Sequence, residues 1–160
     1  MLPLVQEVFE TMPVKDVCVR SVVHVTRETT INDAAHLMRQ HHVGDLVVVD
    51  QDHDMLRPVG IITDRDIVLS VVAPKLDASV ITVGDIMGEE LVTCREEMRV
   101  SDCIHRMRSK GVRRMPIVNE RGDLVGIVSV DDLIEMIAED LNELARLIAR
   151  EQGREVRLRR

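Results

Sequence analysis

The residue types best placed to do chemistry lie in two short stretches, Gly60-Ile-Ile-Thr-Asp-Arg-Asp66-Ile67 and Gly126-Ile-Val-Ser-Val-Asp-Asp132-Leu133. Each runs from a glycine through two apolar β-branched residues to a hydroxyl, with a carboxylate three positions later and then an apolar run. That order predicts a short buried strand turning straight into a helix. At such a corner the first backbone N–H groups of the helix are unpaired, which suits a phosphorylated, hydroxyl-bearing ligand. The same residues also make a plain helix start. Thr63 and Ser129 are good N-caps, and Asp66 and Asp132 at N3 favour the helix dipole with no ligand at all. A single corner favours the capped helix; two copies in matched contexts favour a shared role.

Other reactive side chains form no comparable pattern. His24, His36, His41, His42 and His53, with Asp50, Asp52 and Asp54, lack the spacing of a metal site. The run Asp50 to Asp54 reads as a solvated hairpin turn. Three cysteines, Cys18, Cys94 and Cys103, are odd in number and widely spaced, which argues against a disulfide framework or a thiolate zinc site. Cys103 is expected to be a small buried thiol. The chain has no Ser-His-Asp order, no H-E-x-x-H and no phosphate-binding G-x-x-x-x-G-K-[ST] loop, so no enzyme is expected.

The two corners belong to a longer repeat. A shift of 69 residues lays Val14 on Val83, Asp33 on Asp102, His36 on His105, Met38-Arg39 on Met107-Arg108 and Val49 on Val118, without a gap from Pro13 to Asp50. The first copy then carries three more residues in its turn, after which Gly60, Thr63 and Asp66 meet Gly126, Ser129 and Asp132. Each copy predicts an extended stretch (Val22 to Val25; Leu91 to Cys94) and a helix (Ile31 to Gln40; Val100 to Ser109). A buried strand (Leu46 to Val49; Met115 to Val118), a second strand (Val59 to Thr63; Leu124 to Ser129) and a second helix (Arg65 to Val72; Asp131 onward) follow. This is β-α-β-β-α twice over, an α/β (α+β) fold. A unit of about sixty residues buries too little surface to be stable alone, so the two copies should pack together. The first helix is expected to stop at Gly44.

The element order, the duplication, the segments Asp16-Val17 and Asp85-Ile86-Met87, the strand Val112-Arg113-Arg114-Met115-Pro116-Ile117-Val118 and the two corners together resemble a pair of CBS domains over residues 13–140. The resemblance implies two domains about a pseudo-two-fold axis, with clefts between them that hold adenosine nucleotides such as AMP, ADP or ATP. Asp66 and Asp132 would then take ribose hydroxyls and Thr63 and Ser129 phosphate or ribose oxygen. Arg113 and Arg114 would face phosphates, as guanidinium forks do well. Met115 and Pro116 of the same strand, and Arg65 in the first corner, complete the implied ligand set. Asp45 stands where the second copy has Arg114 and would repel a phosphate, so the two clefts should differ.

These features divide the chain into an N-terminal helical segment (1–12), repeat one (13–75), a linker (76–81), repeat two (82–140) and a C-terminal extension with a basic tail (141–160). In the last helix Val130, Ile134, Ile137, Leu141, Leu144 and Ile148 form a heptad seam that predicts packing on the chain's own flank or in a homodimer. One Phe, no Trp or Tyr and a net charge of −7 exclude base-stacking and phosphate-backbone binding to nucleic acid. No signal-peptide pattern and no bilayer-length apolar run occur, so a cytoplasmic protein without membrane contact is expected. The function these observations imply is a regulatory nucleotide sensor acting on a separate effector protein, with no obligatory cofactor. The alternative is a structural or interaction dimer without a ligand.

Overall fold

The computed structural model describes residues 9–88 and 90–158; within the last helix, the side chains of residues 140, 144, 147–149 and 151–158 lie outside that description. Two three-stranded sheets carry the two repeats. In the first, β1 (His24–Val25) leads to helix α1 (Ile31–His41), then β2 (Asp45–Asp52) and β3 (Met55–Thr63), with β1 parallel and β3 antiparallel to the central β2. The corner after β3 opens α2 (Asp64–Ile67), which continues as a π-helical turn over Val68–Val72. A short helix α3 (Val83–Ile86) precedes the second sheet. There β4 (Cys94–Arg95), α4 (Val100–Lys110), β5 (Arg114–Val118), β6 (Leu124–Ser129) and the long α5 (Val130–Leu158) repeat the pattern. Even the irregularities repeat, with a bulge between Val48 and Val49 in one sheet and between Ile117 and Val118 in the other.

The central strands show why the repeats need each other. Leu46, Val47, Val48 and Val49 are all at most 1% exposed, although side chains alternate between the two faces of a strand. Leu46 and Val48 enter the core under α1, whereas Val47 points the other way, into the cleft against the second repeat. In β5, Met115 and Ile117 likewise face their own core while Pro116 is buried on the opposite side. Cys103 is fully buried at the position matching Ala34, as expected of a small core thiol.

The segments leading into the two repeats are exchanged. Val14 lies wholly buried in the core of the second repeat with Cys94, Val100 and Ile117, and its N–H donates to the Met98 carbonyl at 2.7 Å. Phe9 reaches the same core, whereas Leu2, Val5 and Val8 of the expected helix lie outside the described residues. Conversely Val83 is wholly buried in the first core with Ile31, Leu46 and Ile62, its N–H donating to Thr29 at 2.8 Å. The 76–81 connector is docked rather than loose: Ile31 and Asn32 donate to the carbonyls of Ile81 and Ala78.

Two local expectations change. Gly44 does not stop α1; the left-handed residue is His42, at φ 55°, whose N–H reaches the Met38 carbonyl, and Gly111 does the same for α4 at φ 68°. Histidine is among the side chains that tolerate this conformation. Gly44 instead offers its carbonyl to Asp64, tying the start of β2 to the first corner. The predicted seam of α5 is divided: Val130, Met136 and Ile137 pack on the second core, Ile134 and Leu141 are more than half exposed, and Leu144, Leu147 and Ile148 fall outside the described side chains.

Candidate functional site

Both corners close as capping boxes. At the first, the Thr63 hydroxyl accepts from the Asp66 N–H at 3.2 Å, while Asp66 Oδ2 accepts from the Thr63 N–H at 2.9 Å and from its hydroxyl at 2.7 Å. At the second, Ser129 Oγ accepts from the Asp132 N–H at 3.1 Å and Asp132 Oδ2 accepts from the Ser129 N–H at 2.8 Å and hydroxyl at 2.6 Å. A third box, Thr82 with Asp85, has the same two bonds to the carboxylate, both at 2.8 Å, and starts nothing but α3. Cap geometry therefore does not distinguish a ligand site from an ordinary helix start. The surroundings do.

Ser129 and Asp132 open onto a cleft of about 250 Å³ between the repeats. One wall is apolar, made by Val22, Val23, Val43, Val47 and Ile127, and the other is polar, made by Ser129, Asp131, Asp132, Asp45 and Arg114. The apolar wall can hold a flat heterocycle and the carboxylate edge can hold its hydroxyl-bearing part. Among the described residues only Oδ2 of Asp132 is engaged, so Oδ1 is free to accept another hydrogen bond.

Arg114 and Asp45, which correspond to one another in the two repeats, meet across the cleft as an ion pair, each less than one-third exposed. Burial pushes the Asp45 carboxyl above the usual carboxylate range against the opposing pull of Arg114, and Asp132 and Asp64 push it the same way. Arg113 points outward and pairs with Asp131 at 3.0 Å, both well exposed. Thr63, Arg65 and Asp66 lie at the other corner, outside this cleft, and Arg65 has no ion-pair partner among the described residues. Met115 is wholly buried in the core and Pro116 is buried beneath the cleft; neither lines it.

The sequence profile of the CBS domain matches residues 14–73 and again 83–139. The chain belongs to the CBS-domain family. Among relatives of this CBS pair, the CBS domain-containing protein YhcV of Bacillus subtilis is 40% identical over 120 residues, 75% of this chain and 81% of that one. An uncharacterised protein of Methanopyrus kandleri is 34% identical over 126 residues, which is 79% of this chain but only 63% of the relative's own length. Among solved structures, the CBS domain pair of protein MJ0100 in complex with 5′-methylthioadenosine and S-adenosyl-L-methionine superposes with a TM-score of 0.70 at 25% identity, covering 81% of this chain and 98% of that one. No helix among the described residues is long and apolar enough to cross a membrane.

Of the residues singled out from sequence, Ser129, Asp132 and Arg114 come together in the CBS cleft. Asp45, expected to set a different cleft apart, lines the same one as Arg114, and the valine wall and Ser21 join it, since nothing in a β-strand pattern says which strand faces the other repeat. One signal was present. Positions that correspond under a two-fold and lie near its axis must face each other, and Asp45 and Arg114 correspond.

Proposed function

We propose that this CBS pair is a regulatory module that binds an adenosine-containing ligand in the cleft at Ser129 and Asp132 and passes its occupancy to a separate effector protein. The observation that carries this reading is the cleft itself, which sets a free carboxylate oxygen and a hydroxyl opposite a valine wall. Asp132 Oδ1 would accept from ribose hydroxyls and the valines would hold the base. The adenosine compounds bound by the MJ0100 pair support the ligand class. AMP, ADP and ATP are the phosphorylated candidates; Thr63, Arg65 and Asp66 form the matching set at the first corner. The module has no catalytic role in this reading and forms a homodimer through exposed apolar side chains, Val68, Leu69, Ile134 and Leu141.

A thermal-shift series over adenosine, 5′-methylthioadenosine, AMP, ADP, ATP and S-adenosyl-L-methionine tests the proposal. A ligand present at one hundred times its Kd stabilises the folded state by about 2.7 kcal/mol, and Asp132→Asn, which keeps an oxygen for the cap, should abolish most of that shift. The satisfied boxes at both corners favour a second reading, an interaction module without a ligand. Absence of any shift at millimolar concentration would establish it.

A further inference from the structure

We infer that the Ser129–Asp132 cleft selects adenosine derivatives whose 5′ substituent is neutral or cationic, a thioether or a sulfonium rather than a phosphate, and that Asp45 sets this selectivity. The inference rests on the adenosine reading above and narrows it. Three carboxylates, Asp45, Asp131 and Asp132, line the cleft; Arg114 is bonded to Asp45 and Arg113 to Asp131, which leaves Asp132 with no ion-pair partner among the described residues. The neighbouring Arg113, the other candidate phosphate partner, is engaged by Asp131 in an exposed pair at the rim. A phosphate entering this cleft meets an excess of negative charge and no unpaired cation. It must also share Arg114 with Asp45, a half-buried carboxylate whose charge that guanidinium already offsets. Burial is the main cause of the raised titration of Asp45, and Asp132 and Asp64 add to it against the pull of Arg114. A sulfonium or ammonium at the same point is attracted instead. At the first corner Arg65 stands at the position of Asp131, beside Asp64, and its guanidinium has no ion-pair partner among the described residues.

Titration calorimetry of 5′-methylthioadenosine, S-adenosyl-L-methionine and AMP into the full chain, carrying Asp66→Asn to silence the first corner, reads the second cleft alone. Even one unbalanced charge within several ångströms, in a partly buried site, is worth about tenfold in affinity or more. We expect both phosphate-free compounds to bind at least about tenfold more tightly than AMP. Asp45→Asn should shrink that ratio by releasing Arg114. Asp131→Asn, on an exposed side chain, should shrink it by releasing Arg113. AMP binding as tightly as 5′-methylthioadenosine, or a ratio unmoved by both substitutions, overturns the selectivity while leaving the adenosine site in place. Failure of every adenosine compound to bind overturns the site itself.

Discussion

Val14→Ala tests the exchange of lead-in segments directly, because chain order and packing give opposite answers. Val14 stands at the start of the first repeat in sequence but is wholly buried in the core of the second, among Cys94, Val100 and Ile117. Truncation removes two methyl groups, about 1.6 kcal/mol of transfer free energy at about 0.8 kcal/mol each. The unfilled space brings the loss to about 2–3 kcal/mol. For a chain of this size that lowers Tm by about 4–12 °C. Backbone amide exchange then locates the damage. In Val14→Ala, protection should fall in β5 and α4 before it falls in β2 and α1. In Val83→Ala, whose side chain fills the first core, the order should reverse. The same exchange pattern in both variants, or loss in Val14→Ala confined to β2 and α1, would refute the exchange.

Three further outcomes are expected. The Asp45 carboxyl titrates above the ordinary value of 3.8 in the folded state, so its ionised form counts against folding at neutral pH and that penalty fades as pH falls through the folded pKa. In denaturant melts Asp45→Asn should therefore gain on wild type near neutral pH and lose the advantage on acidification; a gain that grows with acid contradicts this. A Cβ added at Gly126 would sit 2.8 Å from Cys18 Sγ and 3.1 Å from the Val19 carbonyl, whereas at Gly60 it would meet only the flexible end of Met87, at 3.0 Å, as its nearest neighbour. Chemical denaturation should show Gly126→Ala losing about 1–3 kcal/mol and Gly60→Ala less, and equal losses would show that Cys18 yields as easily as Met87. Ile134→Asp with Leu141→Asp, both at more than half-exposed positions, should leave the fold intact and convert a dimer to a monomer in sedimentation velocity; a wild-type monomer, or a variant that stays dimeric, removes that face from the interface.

What the sequence made legible, and what it hid, divides along one physical line. Helix and strand positions follow from local periodicity, so Ile31–His41, Val100–Lys110 and Leu124–Ser129 lie within a residue of where the pattern puts them. The capping boxes were equally local, three residues from hydroxyl to carboxylate. Periodicity is silent about which sheet a segment joins, and so Val14 and Val83 carried no sign of belonging to each other's repeats. The left-handed turn at His42 was hidden by a glycine two residues later that has a different task. Arg113 and Arg114 looked alike as adjacent cations, yet Arg114 opens the strand and meets Asp45 across the cleft, whereas Arg113, just before the strand, makes an exposed pair with Asp131 at the rim.

The box that closes around Asp132 is also the root of the longest helix in the molecule, Val130–Leu158, 29 residues in length. At 1.5 Å per residue that helix is about 43 Å from end to end. A ligand that shifted the corner would turn it as a lever whose fulcrum lies at the mouth of the cleft. A tilt of about 5° at Ser129, far less than one side-chain rotamer change, carries the far end through about 4 Å on a lever of this length. The hydroxyl and carboxylate that would hold a ligand are thus the same two groups that fix the angle at which the lever leaves the body of the protein.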